Sequence, residues 1–442
     1  MGTAPQTGAA ASTTTALLTD LYELTMLRAA LADGSAQRQC SFEVFARRLP
    51  DGRRYGVFAG LGRLLEALAD FRFGPAELAV VEPYLDKATV NWLADYTFTG
   101  DIDAYREGEL FFPGSPVLSV RGTFAECVLL ETLVLSVLNH DSAIASAAAR
   151  MVSAADGRAL IEMGSRRTHE LAAPASARAA YLAGFSATSN LEAVRRYGVP
   201  AAGTSAHAFV LLHANSDQRS SEATAFAGQV AALGATTTLL VDTFDITAGV
   251  RTAVEVAGPH LGGVRIDSGD LGVLARQVRR QLDDLGATDT RIVVSGDLDE
   301  FAIAALRVEP VDSYGVGTSL VTGSGAPTAG MVYKLVEVDG KAVAKRSSNK
   351  SSRGGRKKAL RRARATGTIV EEVVYPARLQ APVDPDLQQR ELLVPVVRGG
   401  ETVERVELEN SRELVARGLV SLPWEGLKLS RGEPAIPTTF VV

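Results

Sequence analysis

Between residues 158 and 323 one pattern recurs. A short apolar run ends in a cluster of Gly, Ser, Thr, Asp or Arg, and in most cases an amphipathic segment follows. The run endings are EMGSRR (162–167), GFSATSN (184–190), AGTSAHAF (202–209), LLVDTFD (239–245), VRIDSGD (264–270), IVVSGD (292–297) and YGVGTSLVTG (314–323). Short apolar runs read as buried strands, and apolar positions three and four apart read as one face of a helix. After VRIDSGD, Leu271, Leu274, Val278, Leu282 and Leu285 share such a face, and Gly286 stands where the helix closes. Strands alternating with helices predict right-handed βαβ units and a parallel sheet. Seven endings favour a closed or nearly closed barrel over a small open sheet. Barrels collect chemistry where strands end and loops begin. Helix capping accounts for some of these Asp and Ser residues, but seven polar endings together favour a shared pocket.

The flanks have other rhythms. A helix is predicted from Leu17, capped by Thr19, with Leu21, Leu24, Leu27 and Leu31 at helical spacing. CSFEVF (40–45) alternates like a strand, 60–68 reads as helix, and 96–122 holds short strand pieces broken by Gly and Pro. A long helical stretch runs from Glu126 to Arg150, with an interruption expected near Asn139, His140 and Asp141. MVYKLVEVDGKAVAKR reads as a hairpin turning at Asp339-Gly340. These signals divide the chain into a disordered tail (1–16), an N-terminal α+β domain (17–125), an α/β barrel (126–335) and a C-terminal segment (336–442) that packs back on the N-terminal domain.

Composition narrows the class. A net charge of −5 argues against a chain built to coat nucleic acid. Cys40 and Cys127 are the only cysteines and form no CxxC pair, so neither a disulfide framework nor a zinc site is indicated. The small, polar start lacks the basic and apolar regions of a signal peptide. No run reaches the ~18 apolar residues of a membrane span, and a cytoplasmic location is expected. Residues 345–364 carry ten basic residues and no acidic one. A solvated loop is the leading expectation there. A cover over a phosphorylated substrate ranks second and nucleic acid third, because no aromatics interleave for base stacking.

Several strand-end residues are candidates for chemistry. The glycine-rich YGVGTSLVTG offers backbone N–H groups and the hydroxyls of Thr318 and Ser319 to a phosphate. Ser295 and Gly296 are a second candidate anion contact. Asp242 and Asp267 suit ribose hydroxyls, a Mg²⁺ ion or a catalytic histidine, with helix capping nearly as good an account of either alone. Arg265 sits inside an apolar run, so it needs a carboxylate or an anionic ligand. Of Arg166 and Arg167, one is expected to face the pocket. His207 on its own is more often structural than catalytic.

In combination these motifs resemble the nicotinate phosphoribosyltransferase family. LLTDLYELTM, FEVFARRLP, FPGSP, EMGSRR, GTSAH, VDTFD, RIDSGD, GVGTS and KLSRGEPAIP stand in the family's order across nearly the whole chain. The resemblance implies an irregular α/β barrel of the type II phosphoribosyltransferase kind, beside a smaller α+β domain built from both chain ends. It implies a homodimer that makes nicotinate mononucleotide and pyrophosphate from nicotinate and phosphoribosyl pyrophosphate, with Mg²⁺ and ATP hydrolysis. On this resemblance Tyr22 stacks on the pyridine ring, Thr204 and Arg265 contact nicotinate, and Arg166 meets the substrate. His207 becomes phosphorylated, Asp242 orients it, and Asp267 is a further catalytic carboxylate. Thr318, Gly315 and Gly317 form the phosphate loop. The family often has Pro-Gly and a basic residue where this chain has Ser352-Arg353-Gly354-Gly355-Arg356, so Arg356 and Lys357 receive no role. The competing functions are transfer to nicotinamide or quinolinate, and non-catalytic phosphosugar binding.

Overall fold

The computed structural model describes residues 14–345 and 353–441. Most of the expected tail, 1–13, and residues 346–352 of the basic stretch lie outside the described residues. The N-terminal part holds α1 (Leu21–Asp33), β1 (Gln39–Ala46), β2 (Gly56–Val57), α2 (Leu61–Ala69), α3 (Pro75–Val81), α4 (Lys87–Ala94), β3 (Asp101–Ala104), β4 (Leu110–Phe111), β5 (Leu118–Thr123) and α5 (Phe124–Val128). After α6 (Glu131–Ala155) come β6 (Ala159–Glu162), α7 (Ala173–Ala183), β7 (Ala187–Thr188), α8 (Leu191–Tyr197), α9 (His207–Leu212), α10 (Gln218–Leu233), β8 (Thr238–Leu240) and α11 (Ile246–Ala257). The alternation continues with β9 (Gly263–Ile266), α12 (Leu271–Asp284), β10 (Arg291–Ser295), α13 (Glu300–Leu306), β11 (Ser313–Val316) and α14 (Thr318–Val321). The C-terminal part holds β12 (Met331–Val338), β13 (Lys341–Ala342), β14 (Lys357–Ala363), β15 (Ile369–Pro376), β16 (Gln388–Glu391), β17 (Val394–Arg398), β18 (Glu401–Thr402), α15 (Leu408–Ser421) and β19 (Thr438–Phe440).

Two units result. The first comprises Met1–Ser142, Thr328–Gly426 and Gly432–Val442. Its larger sheet runs β13-β12-β1-β5-β3-β17-β18, antiparallel throughout, so strands from both chain ends share one sheet. β1 lies between β5 and β12, and Cys40 to Val44 are all buried. That burial forces a partner on Glu43, which ion-pairs with Lys357 Nζ at 2.8 Å. A smaller sheet, β16-β14-β15-β19, takes in the second half of the basic stretch. Residues 357–363 are therefore strand, not the expected solvated loop. Arg361 is buried because Glu109 and Glu372 neutralise it, each at 2.5 Å. The hairpin predicted at Asp339-Gly340 pairs β12 with β13, with both turn residues at positive φ.

Three local expectations change. α1 begins at Leu21, not Leu17, and the Thr19 hydroxyl bonds to the Glu23 carboxylate. α6 is continuous through 139–141 because its polar residues find partners off the helix. The Asn139 amide brackets Met331, and Asp141 takes Arg63 at 2.7 Å. The unit boundaries fall at 142/143 and 327/328, not at 125/126 and 335/336, because Leu133, Val134, Val137 and Leu138 belong to the core of the first unit. One helical stretch, 124–155, is long and apolar enough to cross a membrane on composition. Within it Asp141 is fully buried and ion-paired, which suits a core helix.

The second unit comprises Ala143–Pro327 and Leu427–Arg431. Its six-stranded sheet is parallel, in the order β7-β6-β11-β10-β9-β8. β8 to β11 are neighbours in chain order, and β11 then pairs with β6, so the sheet curls back on its start. A parallel bridge from Thr188 to Ala201 adds a seventh position beyond β7. The barrel is thus irregular, with its seam between Ala201 and β8. Leu239, Val264, Ile292, Val294 and Val316 are essentially inaccessible, each contributing about 1.5–3 kcal/mol of burial. α12 spans the predicted face, with Ala275, Val278 and Leu282 buried and Gly286 at φ 75° beyond its end.

Candidate active site

The ends of β8, β9 and β10 build one polar cluster in the second unit. Arg265 lies within β9 and needs acceptors there. Its Nη2 donates to Asp267 Oδ1 at 2.7 Å, and its Nε donates to the Ser295 hydroxyl at 2.8 Å. Ser295 in turn donates to Asp267 Oδ1. Nη1 reaches the exposed Thr204 hydroxyl at 3.5 Å, the limit of a hydrogen bond. Burial pushes the Asp267 carboxyl up, but bonds from Ser295 and Arg265, with the Arg265 and His207 charges, outweigh it and hold the group below its usual range.

Asp242 stands behind this pair, its side chain only 1% exposed. Its Oδ2 accepts from the Asp267 backbone N–H at 2.8 Å and from the Ser268 hydroxyl at 2.9 Å. Its Oδ1 is buried without a hydrogen-bond partner and lies 3.9 Å from His207 Nε2. His207 opens α9 with its side chain 41% exposed, and its Nδ1 is 3.1 Å from the Thr243 hydroxyl. Helix capping does not explain these carboxylates. Asp245 caps α11 and Asp270 caps α12, leaving Asp242 and Asp267 to the cluster.

The neighbouring strand ends carry the other candidates. Arg166 is exposed in a short helical turn after β6. Gly315 is needed in β11 because a Cβ there would meet Met163 Sδ at 2.8 Å. Gly317 precedes Thr318, which is exposed at the start of α14. The loops after β6 and β11 touch, since a Cβ on Gly164 would lie 2.2 Å from Val321 and 3.1 Å from the Gly317 carbonyl. Gly296 serves a tight turn: its φ is 106°, and a Cβ would strike the Asp267 carbonyl at 2.4 Å. Tyr22 belongs to the first unit, where it is 45% exposed on α1. Burial, with Glu131 and Glu23 nearby, pushes its phenol up to about 12.

Glu162, Thr243 and Ser268 also stand in these strand-end motifs, beyond the candidates named from the sequence. Glu162 is buried at the end of β6. It accepts from the Gly164 N–H at 2.5 Å and from the Thr188 hydroxyl, tying the loops after β6 and β7. Burial pushes its carboxyl up. Position is the sequence signal for them, since all three stand at strand ends beside candidate residues.

A curled parallel sheet with its polar side chains gathered at the strand ends defines an α/β-barrel enzyme, and known proteins narrow that class. Residues 17–139 match the nicotinate phosphoribosyltransferase N-terminal domain, and 159–368 match the nicotinate phosphoribosyltransferase family. The chain is 70% identical to nicotinate phosphoribosyltransferase pncB1 of Mycobacterium tuberculosis, over 96% of this chain and 95% of that protein. It is 39% identical to nicotinate phosphoribosyltransferase of Bacillus subtilis, over 78% and 72% respectively. The solved human nicotinic acid phosphoribosyltransferase superposes with a TM-score of 0.82 at 27% identity, covering 95% of this chain and 97% of that one. The chain belongs to the nicotinate phosphoribosyltransferase family and is an enzyme.

Proposed function

We propose that this chain transfers the phosphoribosyl group of phosphoribosyl pyrophosphate to nicotinate, giving nicotinate mononucleotide and pyrophosphate for NAD salvage, and couples the transfer to ATP hydrolysis. The observation that carries the reading is Arg265, a strand-end guanidinium held by Asp267 and Ser295 with Nη1 directed at the exposed Thr204 hydroxyl. Nicotinate is a flat aromatic anion, and a fixed guanidinium beside a hydroxyl suits its carboxylate. Tyr22 is the proposed stacking face for the ring, within a homodimer. Arg166 meets the substrate, and Gly315, Gly317 and Thr318 take the 5′-phosphate. Asp267 carries negative charge near the ribosyl carbon, which becomes oxocarbenium-like as pyrophosphate leaves. Among the described residues no three His, Cys, Asp or Glu side chains group as a metal site. Mg²⁺ therefore fits as an ion carried largely by the substrate's phosphates, where it neutralises the leaving group. The buried free thiols of Cys40 and Cys127 suit a reducing cytoplasm.

ATP coupling runs through His207. Asp242 Oδ1 lies opposite Nε2 and favours the proton on that nitrogen, leaving the Nδ1 lone pair to attack the γ-phosphorus. The N–P bond forms as the bond to the ADP oxygen breaks. The phosphohistidine adds negative charge and acceptor oxygens at the strand ends. His207→Ala is expected to abolish ATP hydrolysis while leaving slow transfer from phosphoribosyl pyrophosphate, because His207 does not form the glycosidic bond. Label from γ-³²P-ATP should reach the wild-type protein only. Label persisting on the variant moves the phosphosite elsewhere. The function itself is tested by a product assay with nicotinate, nicotinamide and quinolinate, phosphoribosyl pyrophosphate and Mg²⁺, with and without ATP. Nicotinate mononucleotide, increased by ATP, is the expected product, and preference for another base overturns the reading.

A further inference from the structure

Behind Asp242 the fold buries another carboxyl that the mechanism above does not use. Glu222 lies in the first turns of α10 and is 1% exposed. Its Oε1 has no hydrogen-bond partner. α11 approaches closely here, because a Cβ on Gly249 would lie 2.4 Å from the Val241 carbonyl and 3.4 Å from Glu222 Oε1. Glu222 thus sits against the segment that carries Asp242. Asp242 also keeps an unpartnered buried oxygen, the one opposite His207 Nε2.

The charged surroundings of Glu222 are one-sided. Asp242 and Asp245 act on it from the loop between β8 and α11. Asp245 is fixed as the cap of α11 through the Ala248 N–H. On α11 itself Arg251 and Glu255 are exposed, and Glu255 pairs with Arg219 of α10. From α9, His213 binds the Phe209 carbonyl through Nδ1. No cation is therefore paired with Glu222 among the described residues. Clustered carboxyls in such a site cannot all ionise together, and one keeps its proton.

We infer that Glu222 is the proton-bearing partner of Asp242, and a positioning residue that keeps Asp242 anionic toward His207. Glu222 is suited to the part because, of the two, it lacks a donor. Asp242 takes two through Oδ2. Burial first, then Asp245 and Asp242, pushes Glu222 up to about 7. Above that pH Glu222 ionises and adds negative charge behind Asp242, which favours the charged imidazole. At a given pH less of His207 is then the neutral nucleophile than with an uncharged residue at position 222. This consequence for ATP rests on the proposed function, whereas the carboxyl pair itself does not.

The experiment follows the His207 ring proton by NMR across pH 5–9 in the full-length protein, assigned by its loss in His207→Gln. The wild-type curve should carry a second inflection near the Glu222 value, about pH 7. Glu222→Gln mimics the protonated acid and should leave a single inflection. Glu222→Met, uncharged and of similar length, should do the same and covers a folding failure of the first variant. An unchanged His207 curve in either folded variant overturns the inference. ATP hydrolysis is profiled in parallel and should reach its plateau at lower pH in both variants than in the wild type. If the ring titration changes but hydrolysis does not, the carboxyl pair stands and the role of His207 in ATP coupling falls.

Discussion

Two strand arginines, Arg265 and Arg361, both bind carboxylate, and they differ in how fully their donors are taken up. Arg361 is 4% exposed, and Glu109 and Glu372 neutralise it. Its Nη2 also donates to the Leu110 carbonyl at 2.6 Å, and its guanidinium lies over Phe112. All three of its guanidinium nitrogens are taken up by acceptors within the fold. Arg265 has one carboxylate and one hydroxyl close by, and its Nη1 reaches only a marginal contact with exposed Thr204. Beside it are a half-exposed imidazole and a buried, unpartnered Asp242 oxygen. Saturated polar groups hold a fold together, and unsaturated ones at a strand end are what a substrate completes.

The largest effect expected from this contrast is on Arg361. Arg361→Met leaves Glu109 and Glu372 buried with their main cation gone, which should cost about 3–5 kcal/mol. Thermal denaturation should show a large fall in Tm, and adding Glu109→Gln and Glu372→Gln should recover much of it. A small loss in the single variant would break the contrast at its structural end.

Glu23 tests burial without a cation. It is fully buried on α1 and accepts from the Thr132 N–H and hydroxyl at 2.9 and 2.6 Å. Burial nevertheless pushes it up to about 7. Because the folded value exceeds the unfolded one, this group's contribution is fully present below about pH 4.5 and declines until about pH 7. The decline is at most about 3 kcal/mol. Glu23→Gln should flatten the fall in Tm between pH 5 and 7. An equally steep fall in the variant would assign it to other groups.

The smallest effect is expected at Thr318. Thr318→Val keeps the shape and removes one hydroxyl from a loop whose backbone also offers donors, so about 1 kcal/mol is at stake. The Michaelis constant for phosphoribosyl pyrophosphate should rise several-fold while ATP hydrolysis alone is unchanged. An unchanged constant means that backbone groups suffice, or that the phosphate binds elsewhere.

The same contrast explains what could be read from the sequence. Arg265 was legible because it interrupts an apolar run, so its need for partners was visible within a few residues of Asp267. Arg361 was not, because Glu109 is 252 positions away, Glu372 meets it only once β14 and β15 pair, and its neighbours are basic. The βαβ alternation was legible because strand and helix periods are local. The continuity of α6 was not, since Asn139 and Asp141 look like helix breakers until Met331 and Arg63 meet them. Glu222 was hidden for a similar reason. A lone Glu on a helix reads as solvent-facing until α11 covers it.

The central claim is that the Arg265 cluster is a site and not a brace. The most direct measurement titrates nicotinate, nicotinamide and phosphoribosyl pyrophosphate into wild type and Arg265→Ala, with circular dichroism and Tm on both proteins. A lost charge-assisted hydrogen bond of about 1.5–3 kcal/mol should weaken nicotinate roughly ten- to a hundredfold and erase most of its advantage over nicotinamide. Phosphoribosyl pyrophosphate binding and Tm should change little. Equal weakening of all three ligands, or a fall in Tm as large as that of Arg361→Met, would contradict the account.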